Sequence, residues 1–476
     1  MIALTHHLIP AAVFTAYALG VVSAVNALLS ARSSQSAIAW SMACVMFPYL
    51  AVPMYWLFGR NRLQGYVLAR RSSGVQVRRL VKHLRDYAPP LDGLPKSLQT
   101  SCRVFERLAD MPFTRGNRVA LMHDGEFSFE TIFERIAQAR DYVLVQFYIV
   151  RDDSLGQRMA RLLKEKVAEG VRVYFLFDQL GSYGLASQYV RDLRRAGVEM
   201  HPFRAGRGWM NRFQINFRNH RKLVVTDGRW AVMGGANLGD EYRGRGKLGY
   251  WCDTMISVEG PVVQEMQLSF AEDWLFLVGR IPDLNWAPNE PADDGRSALV
   301  MPTGPAGELG TCSMMFSQAI NSAEKRLWIA SPYFVPDEQN VRALQLAALR
   351  GVDVRILIPE KTDSLLVHWA SFTFLEELER TGVRFFRYTG GMFHEKVVLV
   401  DDRLALVGSA NTDNRSFYLN FELTLLVADP GFADETEAML KKDFENSHEA
   451  DRDELERRGI LFRIAARLSR LLAPSL

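Results

Sequence analysis

The same polar pattern occurs twice along the chain, and this duplication constrains the fold more than any other feature. Each polar residue of the second copy stands at the same spacing as its counterpart in the first, with a small-residue turn before the last asparagine. Agreement in every spacing indicates a duplicated structural unit. We therefore predict two similar halves that contribute to one shared site. The repeated residues are His220, Lys222, Asp227 and Asn237 in the first copy, and His394, Lys396, Asp401 and Asn411 in the second.

The composition is that of a folded protein with a large core. The chain has 476 residues, of which 48% are apolar, enough to exclude a disordered protein. Its four cysteines are scattered without a C-x-x-C pair, so we predict neither a disulfide framework nor a zinc site. Histidines outside the repeat stand in no motif and are predicted to be structural or solvated. The cysteines are Cys44, Cys102, Cys252 and Cys312, and these histidines include His83, His123, His201, His368 and His448.

Two long uncharged segments lie near the N-terminus. Residues 8–29 and 37–58 each contain 22 residues without a charged side chain. At 1.5 Å per residue, each is long enough as a helix to cross a hydrocarbon core of about 30 Å. A cleaved signal peptide is the alternative for the first segment, but no basic stretch precedes it and a second apolar segment follows. We predict a two-helix transmembrane hairpin with a kink near the far end of its second helix, which contains Pro48 and Pro53.

A basic stretch follows the second apolar segment almost without acidic residues. The link between the two segments carries only Arg32, so the positive-inside rule places the large C-terminal body in the cytoplasm. Such a stretch would also attract anionic lipid headgroups, with a solvated linker as the alternative for any single residue. The basic residues are Arg60, Arg62, Arg70, Arg71, Arg78, Arg79, Lys82 and Arg85.

From residue 112 onward, short β-rich runs alternate with helical stretches. Residues 141–150 and 172–177 are typical of strands, and residues 155–168 between them are typical of a helix. The second half repeats this order from residue 325. The alternation predicts an α/β fold with two pseudo-symmetric α/β/α halves, each a sheet covered by helices. The first half also has an insertion near residues 204–217 that is rich in Arg, Trp, Phe and Asn.

Each polar repeat is predicted to begin on a strand, over residues 218–226 and 393–400. Residues two apart on a strand point the same way, so His220 and Lys222 share one face, as do their counterparts in the second copy. The aspartates lie seven positions beyond the histidines, an odd spacing that turns them to the opposite face. We therefore interpret both aspartates as structural supports within the catalytic motifs.

The asparagines return after a second strand and a small-residue turn. Gly234-Gly235 precedes Asn237, and Gly408-Ser409 precedes Asn411 by the same distance. Such turns allow a close backbone approach and can cradle an anion. We expect the two lysines, the two asparagines and Ser409 to surround a phosphate.

These residues resemble the phospholipase D superfamily, whose duplicated HKD motif they match in both copies. The resemblance covers residues 112–446, and within it the chain looks like the bacterial cardiolipin synthases with two transmembrane segments. This implies an enzyme of phospholipid biosynthesis in the bacterial cytoplasmic membrane, with phospholipid as substrate. Besides the paired spans, the resemblance rests on Gly239-Asp240-Glu241-Tyr242, on Ser331-Pro332-Tyr333-Phe334-Val335-Pro336-Asp337 and on Arg415-Ser416-Phe417.

The resemblance also implies a phosphohistidine mechanism in which a carboxylate orients a catalytic imidazole from behind. In the second half the matching carboxylate is Glu422, which lies 11 residues beyond Asn411. In the first half the corresponding position is displaced by an insertion, and our candidate is Asp253.

Cleavage of a phosphodiester has three chemical requirements that the repeat can meet. It needs a nucleophile, an acid for the leaving oxygen, and cations that favour the charged transition state. We assign His220 as nucleophile and His394 as acid, while the near symmetry of the motifs leaves the reverse assignment open. Lys222 and Lys396 would supply the charge that a metal ion supplies elsewhere. We predict no metal and no cofactor.

The group that attacks the intermediate determines the reaction. Attack by the hydroxyl of a second phosphatidylglycerol gives cardiolipin and glycerol, whereas attack by water makes the protein a membrane-anchored phospholipase D or a phosphodiesterase such as a nuclease. The membrane hairpin favours lipid over nucleic acid, and the resemblance favours the synthase. A non-catalytic scaffold is expected to have lost a histidine or lysine of the repeats, and none is lost here.

The sequence divides into five regions on these grounds. The last is a predicted amphipathic helix with a neighbouring basic row, which lies either in the membrane interface or on the catalytic body. The regions are the transmembrane helices at 1–59, a basic linker at 60–111, the first half at 112–290, the second half at 291–450 and the basic tail at 451–476.

Overall fold

A computed structural model describes most of the chain. Four of the basic linker residues and most of the predicted insertion lie outside the described residues, as does Arg32. These basic residues are Arg60, Arg62, Arg70 and Arg71, and this part of the insertion is 205–215. The described residues are 2–31, 34–59, 63, 66, 74–89, 96–204, 216–246, 248–307 and 309–475.

The N-terminal region is a helical hairpin whose second arm is broken. Tyr55 donates a hydrogen bond from its hydroxyl to Asn26 (2.7 Å), and the Trp56 indole donates one to Ser23 (3.0 Å), so the second arm packs against the first. Helix α1 spans Ile2–Ser30, and the second arm consists of α2 (Ser34–Met46), α3 (Pro48–Met54) and a π-helical turn (Tyr55–Gly59).

The kink predicted near the far end of residues 37–58 therefore stands elsewhere, since the helix breaks at Phe47, near the middle of that segment. Phe47 leaves the helical conformation with φ −132° and ψ 57°, because a following proline disfavours the α region for the residue before it. Among the described residues, only Pro10–Ser30 is a continuous helix long and apolar enough to span a membrane.

The first half of the body alternates strands and helices as the sequence predicts. Its second strand is buried along its whole length, as expected of a parallel strand covered on both faces. Two helices precede the first half along the chain, α4 (Gly74–Leu84) and α5 (Lys96–Ala109). The elements are β1 (Thr114–Met122), α6 (Gly125–Gln138), β2 (Tyr142–Phe147), α7 (Ser154–Ala168), β3 (Arg172–Asp178), α8 (Ser187–Arg195), β4 (Glu199–Phe203), β5 (Arg218–Asn219), β6 (Leu223–Thr226), β7 (Trp230–Gly234), β8 (Trp251–Cys252), β9 (Met255–Glu259) and α9 (Val263–Val278).

The second half repeats this plan and continues into a helical tail. Its elements are β10 (Arg296–Thr303), α10 (Thr311–Ser322), β11 (Arg326–Ala330), β12 (Phe334–Val335), α11 (Glu338–Leu349), β13 (Asp353–Pro359), α12 (Leu365–Glu379), β14 (Arg384–Tyr388), β15 (Met392–Phe393), β16 (Val397–Val400), β17 (Leu404–Gly408), β18 (Thr412–Asp413), α13 (Asn414–Tyr418), β19 (Asn420–Val427), α14 (Pro430–Glu445), β20 (Ser447–Glu449), α15 (Glu454–Arg457) and α16 (Ile460–Leu471).

One sheet runs through both halves and shows the duplication directly. From its centre outward, the first half contributes β1, β9, β7, β6, β2, β3 and β4, and the second contributes β10, β19, β17, β16, β11, β13 and β14. The two series correspond strand for strand, and they meet where β1 pairs antiparallel with β10. One apolar cluster, which includes Leu144, Val225, Leu399 and Leu425, extends across this junction. The two halves therefore share a core and form a single α/β body.

The tail helix α16 packs on the second half and leaves an apolar row exposed. Phe462 lies edge-on against Phe372 of α12, with ring centroids 5.1 Å apart, and Arg470 donates a hydrogen bond to Glu377 (2.6 Å). Apolar side chains of α16 and of the residue after it point outward and remain available to a membrane interface. The exposed members are Ile460, Leu461, Ile464, Leu468, Leu471 and Leu472.

Candidate active site

The two histidines of the repeats lie between short strands rather than within long ones. The predicted strands over 218–226 and 393–400 are each interrupted at the H-x-K residues, so those two predictions are wrong in extent. The interruption arises because β5 pairs with β19, and β15 with β8, whereas β6 and β16 return to their own half. The strand before each H-x-K therefore pairs with the opposite half, and the strand after it pairs with the motif's own half.

The backbone of each histidine is held by the opposite half. The His220 amide donates to the carbonyl of Phe421 (2.9 Å), and the His394 amide donates to the carbonyl of Cys252 (2.7 Å). Both side chains are buried. The two halves are consequently joined at the two points where the imidazoles of the repeated motifs stand.

Glu422 holds the imidazole of His220. Its carboxylate lies 2.9 Å from Nδ1 of His220 and also accepts hydrogen bonds from Ser409 (2.6 Å), Ser416 (2.9 Å) and Asn420 (3.2 Å). Burial alone would raise the pKa of the Glu422 carboxyl, but the charges of His220 and Lys222 and the hydrogen bonds with His220 and Ser409 lower it. An ionised Glu422 favours the tautomer with hydrogen on Nδ1, which leaves the Nε2 lone pair of His220 free.

Asp253 holds the imidazole of His394 in the same manner. Its carboxylate oxygen lies 2.6 Å from Nδ1 of His394 and 3.5 Å from the ammonium of Lys396. Burial opposes ionisation, but Lys396 and His394 lower the pKa of the Asp253 carboxyl. The hydroxyl of Tyr242 approaches the same imidazole nitrogen at 3.5 Å.

The two carboxylates act across the halves, a pairing that the sequence did not predict. Glu422 belongs to the second half and contacts the histidine of the first, whereas Asp253 belongs to the first half and contacts the histidine of the second. The reason is the parallel pairing of β5 with β19 and of β8 with β15. A site built this way requires both halves for each of its histidines.

The lysines lie against their own histidines and are fully buried. Lys222 donates to the carbonyl of His220 (2.7 Å), and the Lys396 ammonium lies 2.7 Å from Nδ1 of His394. Burial lowers the pKa of Lys222 well below its usual range, and the charge of Lys396 adds to this effect. Charges of one motif therefore affect titration in the other, which indicates one electrostatic site.

Burial also favours neutral imidazoles. It lowers the pKa of His220 to about 4, against the opposing charge of Glu422, and the charges of Lys222 and Lys396 contribute in the same direction as burial. Burial and the neighbouring charge of Lys396 likewise lower the pKa of His394. A neutral imidazole with a free nitrogen is the nucleophilic form.

The aspartates of the two repeats bind backbone amides at the other end of their strands. Asp227 accepts hydrogen bonds from the amides of Arg140, Asp141 and Tyr142 at 2.8 to 2.9 Å, at the start of β2. Asp401 accepts them from Glu324, Lys325 and Arg326, at the start of β11, with shortest distances of 3.1, 2.8 and 3.0 Å. Both aspartates have positive φ, at 55° and 51°. We propose that they anchor strands and do not contact substrate.

The residues predicted to surround a phosphate differ in their contacts. Asn237 donates from its amide to the Tyr242 hydroxyl (2.9 Å) and accepts from the Ile149 amide (3.0 Å). Ser409 donates its hydroxyl to Glu422, so it supports the His220 side of the site. Asn411 donates to Asp413 (3.3 Å), and no donor among the described residues reaches its side-chain oxygen.

Three aromatic residues and one serine of the site were not assigned a role from sequence. Tyr148 lies edge-on to His220 at 4.9 Å between ring centroids, and Trp251 and Tyr242 lie 5.2 and 5.9 Å from His394. Tyr242 and Ser416 stand in segments that carry the family resemblance, which was the available signal. Tyr148 had no comparable signal.

A second polar cluster lies directly behind His394. It consists of His123, Cys252, Glu395 and Asp443, whose potential ligand atoms all lie within 4.8 Å of one another. Burial and the charge of Glu395 raise the pKa of the Asp443 carboxyl to about 8. The four residues come from four distant segments, so no spacing in the sequence indicated the cluster.

Comparisons with known proteins agree with this geometry. A family model described as "Cardiolipin synthase, PLD-like domain" matches residues 132–274 and 316–444, and one described as "Phospholipase D-nuclease N-terminal" matches residues 16–60. The chain is 45% identical to cardiolipin synthase A of Pseudomonas putida over 96% of both chains. It is 46% identical to cardiolipin synthase A of Pseudomonas aeruginosa, over 96% of this chain and 94% of that protein.

A solved structure shows the same fold at low identity. The crystal structure of phosphatidylserine synthase from Haemophilus influenzae matches with a TM-score of 0.60 and 17% identity, over 79% of this chain and 100% of that one. This likeness supports the duplicated α/β architecture.

Proposed function

The chain belongs to the cardiolipin synthase family of phospholipase D-like proteins, and we propose that it forms cardiolipin and glycerol from two molecules of phosphatidylglycerol. It is a membrane-associated phosphatidyltransferase, as its 45% and 46% sequence identity to cardiolipin synthases A over nearly the full length of the chains shows. The finer proposal concerns the substrate pair and the roles of the residues. The observation that carries it is the pair of buried imidazoles, each held at Nδ1 by a carboxylate of the opposite half.

In the first step, we assign the attack on phosphorus to Nε2 of His220. The bond between phosphorus and the oxygen of the headgroup glycerol breaks. His394, which must enter this step protonated with its charge balanced by Asp253, gives its proton to that oxygen, so glycerol leaves. The phosphatidyl group is now bonded to His220. The hydrogen bond to Glu422 stabilises the positive charge that the attacking imidazole acquires.

In the second step, the terminal hydroxyl of another phosphatidylglycerol attacks the same phosphorus. His394 accepts the proton from that hydroxyl, the bond between phosphorus and nitrogen breaks, and cardiolipin forms. Both histidines return to their starting states. General acid and base catalysis of this kind contributes about 10² to 10⁴ in rate.

The lysines are proposed to neutralise the phosphate oxygens in both steps. Lys222 and Lys396 are buried beside the two imidazoles. A bound phosphate anion favours their ammonium forms, and low polarity strengthens their interaction with an anionic transition state. Asn411, whose side-chain oxygen has no donor among the described residues, is the asparagine that we assign to a donor hydroxyl of the lipid headgroup.

We propose that the N-terminal hairpin crosses the membrane twice and leaves the body on the cytoplasmic face. The two arms pack together, and the basic residues Arg78, Arg79 and Lys82 of α4 follow them. Positive charge near the end of a span favours the cytoplasmic side and attracts anionic headgroups. The active site would then receive phosphatidylglycerol from the inner leaflet.

Product analysis tests this function. Detergent-purified protein is incubated with phosphatidylglycerol, beside His220→Ala, His394→Ala and the control His448→Ala, which changes an exposed histidine. We expect the wild type and the control each to form cardiolipin and glycerol in equimolar amounts. The two site variants should form neither product. Phosphatidic acid without cardiolipin would instead identify a hydrolase, in which water attacks the intermediate.

A further inference from the structure

The cluster behind His394 combines nitrogen, sulfur and oxygen donors from both halves. His123 follows β1 and Cys252 ends β8, whereas Glu395 stands inside the second motif and Asp443 in α14. Nδ1 of His123 lies 2.7 Å from Glu395, and its Nε2 lies 3.6 Å from Asp443 and 3.7 Å from the Cys252 sulfur. These contacts place the four side chains around one point.

Two carboxylate oxygens of the cluster are buried without a partner. No hydrogen-bond donor among the described residues reaches Oε2 of Glu395 or Oδ2 of Asp443. The two side chains are 0% and 2% exposed. A buried carboxylate oxygen that lacks both water and a donor is costly, so such atoms call for an occupant.

The pseudo-symmetric position in the first half shows what kind of occupant is missing. There Arg221 follows the motif histidine, as Glu395 does in the second half, and Asp273 lies on α9 as Asp443 lies on α14. Arg221 and Asp273 form an ion pair at 2.9 Å. The second half replaces the arginine with a glutamate, and within the described part of the chain neither Glu395 nor Asp443 has a lysine or arginine within ion-pair distance. Within the described residues one imidazole, His123, faces both buried carboxylates, so the site is short of positive charge.

We propose that His123, Cys252, Glu395 and Asp443 bind one divalent transition-metal ion, Zn²⁺ by its donor preference, and that this ion joins the two halves behind His394. Imidazole, thiolate and carboxylate are the ligands of zinc, at about 2.0 to 2.3 Å from the ion. On binding, the Cys252 thiol releases its proton to solvent, as do the His123 imidazole and the Asp443 carboxyl where they are protonated. Four protein ligands without an open position are typical of a structural site.

The surroundings suit such a site. Thr254 donates its hydroxyl to Oε1 of Glu395 at 2.6 Å, in the manner of the outer hydrogen bonds that orient metal ligands. The His123 side chain is 39% exposed, which gives an ion a route from solvent. The carbonyl of Cys252 accepts the His394 amide. An ion bound here would fix the backbone that positions Asp253 and His394.

Metal analysis of the full chain tests the proposal independently of lipid turnover. Untagged wild-type protein in detergent is equilibrated with Zn²⁺, passed through a desalting column and measured for bound zinc by mass spectrometry. We expect one equivalent in the wild type and in Cys102→Ser, which changes a buried cysteine outside the cluster. Cys252→Ser and Asp443→Asn are expected to lose at least tenfold in affinity.

Two further variants keep the proposal falsifiable if a buried change prevents folding. His123→Ala alters the exposed edge of the cluster and should lose zinc in a folded protein, whereas His123→Cys should retain it. With Co²⁺ in place of Zn²⁺, wild-type protein should show a thiolate-to-metal absorption band that Cys252→Ser lacks. The proposal is overturned if the folded wild type binds no zinc after equilibration, or if His123→Ala and Cys252→Ser both retain it.

Discussion

The regions behind the two motif histidines occupy equivalent places in the duplicated fold, but one contains a buried arginine, Arg221, where the other contains a buried glutamate, Glu395. Behind His220, Asp273 accepts hydrogen bonds from Arg221, Tyr66, Gln146 and Asn219 at 2.7 to 2.9 Å, so its carboxylate is fully satisfied. Behind His394, two carboxylates share one histidine and one cysteine, and two of their oxygens have no donor among the described residues.

The difference shows which part of a duplicated site is constrained. The two histidine–carboxylate dyads, His220 with Glu422 and His394 with Asp253, are alike, since each imidazole receives a carboxylate at Nδ1 from the opposite half. The supporting residues behind them have diverged, with the cation supplied by Arg221 on one side and, in our proposal, by a metal ion on the other. The chemistry fixes the dyads, whereas the supports need only hold them in place.

Removing either orienting carboxylate should have the largest effect. We expect Glu422→Gln and Asp253→Asn each to lower kcat about 10²- to 10⁴-fold, because a neutral amide neither fixes the tautomer nor stabilises the imidazolium. Initial rates of cardiolipin formation measure this, with Glu338→Gln, an exposed glutamate, as the control. A loss confined to one of the two dyad variants would break the equivalence of the dyads.

Arg221→Ala should destabilise the first half strongly. It leaves the buried Asp273 without its cation, and breaking a buried ion pair from one side costs about 3 to 5 kcal/mol of unfolding free energy. Denaturant unfolding measures the effect. The matched control is Arg280→Ala, whose surface pair with Glu199 is half-exposed and should contribute about 1 kcal/mol or less. Equal losses in the two variants would contradict the buried-pair account.

Acidification should weaken the His220 side. The folded protein lowers the pKa of His220 from 6.5 to about 4, so the unfolded chain binds the proton first. The stability that the neutral imidazole contributes is present above pH 6.5 and is lost as the pH falls toward 4, by up to about 3 kcal/mol. Unfolding of wild type and His220→Asn between pH 7 and pH 4 should show a shallower pH dependence in the variant. Parallel curves would contradict the assignment.

Removal of metal should weaken the His394 side and leave the other unchanged. Free Zn²⁺ at a hundred times its Kd stabilises the folded state by about 2.7 kcal/mol, so a chelator should lower the unfolding free energy by that amount. The same treatment of Cys252→Ser should have no effect. A chelator effect that persists in Cys252→Ser would assign the metal to another site.

The sequence predicts local structure better than contacts between distant segments. The alternating strands and helices were readable from periodicity, and strands β2 and β3 stand where residues 141–150 and 172–177 indicated. A kink was predicted near the far end of the second apolar segment, but the break lies at Phe47. A run of apolar residues does not show which of two prolines ends a helix.

The candidate site shows the same limit. His220 and His394 were identifiable because each motif is local. Their pairing with Glu422 and Asp253 depends on strands from opposite halves, which no spacing encodes. His123 and Asp443 had no motif at all, and only the packing of β1 and α14 brings them together.

The central claim is that each catalytic imidazole is held by a carboxylate of the other half. Nitrogen NMR of histidine-labelled protein tests it directly, with signals assigned through His220→Asn and His394→Asn. We predict that Asp253→Asn shifts the ring nitrogens of His394 and leaves those of His220 unchanged, and that Glu422→Gln does the reverse. A shift of His220 on changing Asp253, with His394 unaffected, would contradict the account.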